Sequence, residues 1–416
     1  MIKDHPERRL VLKDLLIKCG RKLRKFAVLV LALPLILLMR VLRPIVLIRL
    51  NKIRSARIGH FAGNMESYLC ELEAGMHRSG RVIDIFFREK IVCNEQLLRM
   101  WSRVIPIRRG HLFWCGLHWA NRCFPGWEAH EPEDRYEDSY GLWDKTKPHL
   151  LFTDEEEKRG QDGLRAIGIP QGKPFVGFIA RDSSFLAKLY PGSDTSYHDY
   201  RDTDIENFSL AMKGVSERGY YGVRMGAVVA KKLQFSYPGI IDYATNGMRN
   251  DFMDVYLAAK CEFFLFAESG FGVLPMIFRR PVVCVNLIPM NYIHAWSKDY
   301  IVIPRKLWLK AEKRFLRFRE IVGTKIGSFL MTEDYERAGI EYVENTAEEI
   351  RDAVEEMTAR CEGRWETSVE YEDLQRRFWE LYRSSPRMRV LRSRVGSKFL
   401  LQNKDLLDGS VESRGY

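Results

Sequence analysis

From residue 175 onward the sequence alternates short apolar runs with amphipathic ones, and this alternation constrains the fold more than any other feature. Strands are expected at "FVGFIARD" (175–182), "YYGVRMG" (220–226), "IIDYA" (240–244), "CEFFLFAES" (261–269), "PVVCVN" (281–286) and "IEYVEN" (340–345). Helices are expected between them at "DIENFSLAMKGVSERG" (204–219), "DFMDVYLAAK" (251–260), "FGVLPMIFRR" (271–280) and "AEEIRDAVEEMTARCEG" (347–363). Strands joined through helices by short connections run parallel with right-handed crossovers, which predicts a doubly wound α/β sheet.

A chain of 416 residues exceeds one ordinary core, so a second domain is expected. "RIGHFAGNMESYLCELEAG" reads as a strand end, a glycine turn and a helix from about Asn64; a strand "VIDIFFR" and a helix from about Asn94 follow. Residues 110–149, rich in Trp, His, Gly and Pro, read as loop. The expected division is a membrane-association segment at 1–57, an N-terminal α/β domain at 58–150, a C-terminal α/β domain at 151–365, and a helix with a basic tail at 366–416 that packs back on the body.

Charge is distributed unevenly. Residues 1–57 hold 15 Lys and Arg against 3 Asp and Glu, leaving 51 against 52 for the rest, so the net charge of +11 belongs to one segment. A body without a basic face argues against nucleic acid as a partner. The eight cysteines form no CxxC pair, and the nine histidines show no clustered ligand spacing, so reduced core thiols and no metal site are expected.

Within the basic segment, residues 26–39 carry no charge, short of the roughly 20 apolar residues that cross a bilayer core. Lys and Arg flank this run on both sides, so neither end is suited to translocation, and both are expected on the cytoplasmic face of the inner membrane. Pro34, in its middle, favours a re-entrant or interfacial hairpin over a straight span. No small-residue cleavage site follows, so a removable signal peptide is not expected.

In a doubly wound sheet, ligands lie beyond the carboxyl ends of the strands. Those ends read Arg181-Asp182, Arg224-Met225-Gly226, Asp242 and Glu268-Ser269-Gly270. Two arginines, several acids and a strand-to-helix turn with free N–H groups suit a diphosphate carrying a sugar and a base. The polar insertion after the first of these strands holds "YHDYRD", in which Tyr197, His198, Arg201 and Asp202 have the composition of a binding loop, while Asp204 reads as a helix N-cap.

Taken together, "SYHDYRDTDIENF", "GYYGVRMG", the stretch from "IIDYATNG" to "FRRPVV" and the closing "GSKFLLQNKDLL" resemble a family of bacterial glycosyltransferases, assigned mostly by sequence, with the GT-B fold. The resemblance runs from about Ile58 to Leu407. It implies two Rossmann-like domains facing a cleft, a nucleotide-diphosphate sugar as donor, and no cofactor beyond that donor. It also implies a lipid-linked or glycan acceptor of bacterial surface polysaccharide or glycolipid. A weaker likeness reaches fucosyltransferase-type enzymes, in which a strand ending H-x-R-R-x-D brings an arginine to the donor's β-phosphate. Here "FIARDSS" puts Arg181 in that place, with Ile179 instead of the histidine and a single arginine instead of the pair.

Sugar transfer needs stabilisation of the leaving diphosphate and, for inversion, a base for the acceptor hydroxyl. Arg181, Arg224 and the Ser269-Gly270 amides are the expected stabilisers, without a metal, and His60 and Glu66 the expected base candidates. A nucleotide-sugar 2-epimerase of the same fold and a non-catalytic nucleotide-sugar-binding module are the alternatives.

Overall fold

The computed structural model describes residues 6–76, 80–132, 138–189, 191–383 and 390–407, with the side chains of 6–19, 21 and 24 left aside. Two compact units account for the contacts. One comprises Met1–Arg57, Glu71–Cys93 and Trp101–Asp134; the other comprises Ile58–Cys70, Asn94–Met100 and Arg135–Tyr416. The segment 58–70 therefore packs with the larger unit, which the expected boundaries at 57 and 150 do not convey.

The first elements run α1 (Pro6–Leu42), β1 (Leu47–Ile53), α2 (Ile58–Glu73), β2 (Val82–Arg88), α3 (Glu95–Val104), β3 (Ile107–Arg108) and α4 (His111–Asn121). Three expectations are corrected here. Helix α1 runs continuously through Pro34 instead of breaking into a hairpin. Buried Ala32 and Ile36 on either side hold both halves of the helix in place. The strand expected near Ile58 lies earlier, at β1, where Leu50 and Ile53, three residues apart and so on opposite faces, are both buried, and α2 begins at Ile58 itself. The supposed loop after residue 110 contains α4.

Strands β1, β2 and β3 form a three-stranded parallel sheet. Arg49 sits opposite Asp84 in register and donates to both carboxylate oxygens, at 2.8 and 2.7 Å. Ala32, Ile36 and Met39 of α1 pack with Leu50, Phe87 and, from α4, Leu117 and Ala120 into this unit's core. A sheet of three strands is not a second doubly wound domain, so that expectation is corrected too.

The larger unit continues with α5 (Asp154–Ala166), β4 (Phe175–Ala180), α6 (Ser184–Leu189), α7 (Ser209–Glu217), β5 (Tyr221–Arg224), β6 (Ile240–Ile241) and α8 (Asp251–Lys260). Then come β7 (Phe264–Ala267), α9 (Val273–Ile277), β8 (Val282–Leu287), β9 (Tyr300–Pro304), β10 (Lys306–Leu309), β11 (Arg314–Phe315), α10 (Phe318–Ile321), α11 (Thr332–Arg337) and β12 (Ile340–Val343). The chain closes with α12 (Ala347–Cys361), α13 (Val369–Glu380), β13 (Arg394–Val395) and α14 (Ser397–Gln402).

Seven strands pair in the order β13-β9-β8-β7-β4-β5-β6, every pair parallel. The chain lays down β4, β5 and β6 outward in one direction, then returns to the other side of β4 for β7, β8 and β9. This is the doubly wound order, with its switch point between β4 and β7. β12, expected in this sheet, pairs antiparallel with β10 in a separate three-stranded sheet instead. Alternating polarity along "IEYVEN" marks a strand without fixing its direction.

Residues 390–407 of the expected tail do pack on the body. β13 joins β9, and Gln375 of α13 donates to the Val395 carbonyl at 2.5 Å and accepts from its N–H at 3.0 Å. The rest of the basic tail, 384–389 and 408–416, lies outside the described residues.

Candidate functional site

Because β4 and β7 are adjacent and parallel, Arg181-Asp182 and Glu268-Ser269-Gly270 emerge side by side at the carboxyl edge of the sheet. The "YHDYRD" residues form a short 3-10 turn, Ser196–Arg201, pinned over the same edge. Arg181 Nη1 pairs with the Asp202 carboxylate and donates to the His198 carbonyl at 3.1 Å. Arg181 itself accepts from the Thr203 N–H at 3.0 Å through its carbonyl. Arg201 Nη2 reaches across to β7, donating to the Glu268 carbonyl at 2.8 Å and its carboxylate at 3.3 Å. Burial pushes the Asp202 carboxyl above its usual range, against the pull of Arg181.

Glu268 has φ 33°, a left-handed conformation that a residue with a side chain rarely adopts. Arg201 holds it from one side, and the Cys284 thiol donates to its Oε1 at 3.7 Å from another. After it, Ser269 accepts from the Phe271 N–H at 3.3 Å, opening a short 3-10 turn, Gly270–Gly272, ahead of α9. Gly270 is not in the left-handed region. The closeness of the two segments requires glycine at Gly59: the first turn of α2 lies against Gly270, and a Cβ added to Gly59 would come within 2.9 Å of the Gly270 carbonyl oxygen, whereas one added to Gly270 would meet Gly59 N at an ordinary 3.4 Å. His60, half-buried, is the next residue along α2.

The remaining expected residues separate. Asp182 caps its own turn, accepting from Ser184 N at 2.9 Å and from Ala230 N at 3.1 Å. Tyr197 and His198 lie ring against ring, 4.2 Å between centroids. Arg224 is buried, and its Nη1 serves the Lys231 carbonyl at 2.8 Å and the Asp242 carboxylate at 3.3 Å, so these two residues fasten the loop after β5.

Glu66 is 0% exposed, in the interior of α2. Its Oε1 accepts from Arg279 Nη2 at 2.5 Å and lies 3.1 Å from His149 Nδ1. Arg279, itself at φ 59°, also donates to the carbonyls of Trp143, Thr146, Ile277 and Lys147 and to the Thr146 hydroxyl. With no exposed surface and with Arg279 and His149 both on Oε1, the Glu66 carboxylate leaves an acceptor hydroxyl no place beside it, which corrects the expectation that Glu66 serves as a base.

Among the described residues, two trios bring metal-ligand atoms within 4.8 Å of one another: Glu66, Cys70 and His149, and Glu268, Cys284 and His294. In each, an arginine is already on the carboxylate, Arg279 in the first and Arg201 in the second. Burial pushes the Cys284 thiol well up, keeping it protonated. Neither trio is assigned a metal.

Sequence reasoning missed Arg279 and Arg305. Arg305, directly after β9 and buried, donates to the Asp202 carbonyl and, at 3.1 Å, to the Thr203 hydroxyl. It fixes the chain just after the Ser196–Arg201 turn. Its position just past an apolar strand was the available signal.

No protein-family model and no curated protein matches the sequence. Among solved structures, a glycosyl transferase of family 9 from Veillonella parvula is similar at 12% identity over 62% of this chain and 86% of that one, with a TM-score of 0.39. The E. coli ADP-heptose lps heptosyltransferase II is similar at 14% identity over 62% and 90%, with a TM-score of 0.33. An E. coli heptosyltransferase solved with ADP-2-deoxy-2-fluoro heptose is similar at 9% identity over 62% and 93%, with a TM-score of 0.30. At such low scores none of them bears on what this chain does, which rests on its own residues.

Proposed function

We propose that the protein is a glycosyltransferase that binds a nucleotide-diphosphate sugar beyond the carboxyl ends of β4 and β7. The observation that carries this reading is the switch point. It brings Arg181 and the N–H groups of the Ser269-Gly270 turn to one place, beside a left-handed Glu268 held by Arg201. Among the described residues Arg181 is engaged only through Nη1, and its other N–H groups suit the oxygens of a diphosphate. Charge developing on the leaving diphosphate is met by this arginine and by backbone donors, so the transfer is taken to be metal-independent and to need no cofactor beyond the donor. His60, following the glycine that abuts Gly270, is the candidate base for the acceptor hydroxyl. The acceptor is placed at the cytoplasmic face of the inner membrane, as a lipid-linked or glycan precursor of a surface polysaccharide.

Calorimetric titration of nucleoside diphosphates into wild type and Arg181→Ala tests the reading. Loss of a charge-assisted contact of ~1.5 to 3 kcal/mol weakens binding roughly ten- to hundredfold, with little rescue by Lys, which lacks the fork. An unchanged dissociation constant in a folded Arg181→Ala protein overturns it.

A further inference from the structure

We infer that α1 and the first turn of α4 together form one face that lies in the plane of an anionic bilayer, with Leu112 and Phe113 as a second, independent point of insertion. One stripe of α1, Ala32, Ile36 and Met39, is covered by protein, whereas Phe26, Val30, Leu31, Leu37, Leu38 and Val41 are exposed. The 18-residue window Lys25–Leu42 has a mean hydropathy of 2.3 and is apolar and long enough to span. A spanning helix, however, meets lipid along some 30 Å of its length, while this one carries a folded sheet and helix against its middle. Leu33 and Leu35 are exposed as well, so the open apolar arc takes in this stretch of α1 except for the covered stripe, and a helix lying in the interface buries that arc while the stripe keeps its sheet and helix.

Helix α4 adds to that exposed face. Gly116 abuts α1, since a Cβ there would meet Val28 Cγ1 at 3.1 Å. Leu112 and Phe113, one turn earlier on the same side of α4, therefore stand beside α1; they are 77% and 54% exposed. Exposed Arg108 and Arg109 lie three to five residues before them, and exposed Lys22 and Lys25 lie one to two turns before Val28. Cations rimming an apolar patch complement anionic headgroups above acyl chains, whereas a second copy of this chain would bring the same cations face to face. The occupant is therefore a bilayer. The inference rests on the membrane-surface part of the function proposed above and is independent of the donor site.

The test is flotation of the detergent-purified full chain after dilution onto vesicles of phosphatidylglycerol and phosphatidylethanolamine, or of phosphatidylcholine alone. Wild type is expected to float with the anionic vesicles and to stay bound in high salt, since apolar insertion is not screened. Leu112→Glu/Phe113→Glu changes two exposed side chains and should keep the wild-type circular dichroism while lowering the bound fraction about tenfold. Arg108→Glu/Arg109→Glu should weaken binding to anionic vesicles and leave phosphatidylcholine binding as it was. Unchanged flotation of the Leu112/Phe113 variant overturns the inference while leaving α1 as a membrane contact. Failure of wild type to float overturns the membrane reading as a whole, and so does a dimer cross-linked through introduced cysteines at 112 with no vesicle binding. Neither result touches nucleotide affinity.

Discussion

Replacing Glu66 separates a structural carboxylate from a catalytic one. In Glu66→Ala the Arg279 guanidinium loses its only carboxylate among the described residues, and deleting one partner of a buried pair costs about 3 to 5 kcal/mol. Arg279 is 18% exposed and keeps four backbone carbonyls, which places the loss at the low end, about 3 kcal/mol. Glu66→Gln preserves volume and one acceptor oxygen and should cost about 1 to 2 kcal/mol. With a urea slope of about 3 kcal/mol per molar, the alanine variant unfolds about 1 M earlier. The assay is urea unfolding followed by tryptophan fluorescence, run beside donor turnover. Arg279→Ala combined with Glu66→Ala should cost less than the two single changes added together, because the second loss removes a group already unpaired. The reasoning is refuted if Glu66→Gln leaves the urea midpoint in place yet abolishes turnover, the behaviour of a general base.

Further expectations follow from other contacts. Gly59→Ala puts a methyl group within 2.9 Å of a backbone oxygen that has nowhere to go, so it should weaken nucleoside diphosphate binding more than Gly270→Ala, whose methyl meets Gly59 at 3.4 Å or more; the opposite order in calorimetry contradicts the packing described. Burial raises the Asp254 carboxyl from 3.8 to about 6, partly offset by Arg249, so the folded protein holds this proton more tightly than the unfolded chain does. Its ionisation penalty is absent below the lower value and fully present above the higher one, amounting to about 3 kcal/mol. Asp254→Asn should therefore reduce the fall in unfolding free energy between pH 4 and pH 6.5, and an identical pH slope in the two proteins would count against it.

What the sequence made legible was whatever depends on local pattern. The turn at Glu268-Ser269-Gly270 stood out because an apolar strand and an apolar helix border three small or polar residues, and β4, β5, β7 and β8 were visible as apolar runs. β1 escaped notice because Arg49 and Lys52 read as the basic flank of the apolar run before them; three residues apart, they leave opposite faces of the strand, and only the pairing with Asp84 and Glu89 shows what balances each. α4 follows Gly110, which supplies no side-chain cap, and is apolar on most of its surface, so it offers neither a start signal nor a periodic face. The pairings of Glu66 and Arg224 were hidden for a different reason. Each is decided by a partner distant in the chain or past a loop, Arg279 and Asp242, and no spacing rule announces such a pair.

The sheet of the larger unit ends on both sides in a strand of two residues, β6 and β13. An open parallel sheet is otherwise a template onto which a stranger's backbone can add, and brevity at the rims denies it a foothold. At β13 the protection goes further, because the Gln375 amide takes both the N–H and the C=O of Val395, standing in for the strand that would come next. A chain cut between α13 and β13 would keep every residue of the proposed donor site yet lay bare the five-residue β9, buried along its whole length. Such a fragment should bind nucleotide weakly or not at all for an indirect reason: it would be drawn into edge-to-edge aggregates before its crevice could be tested.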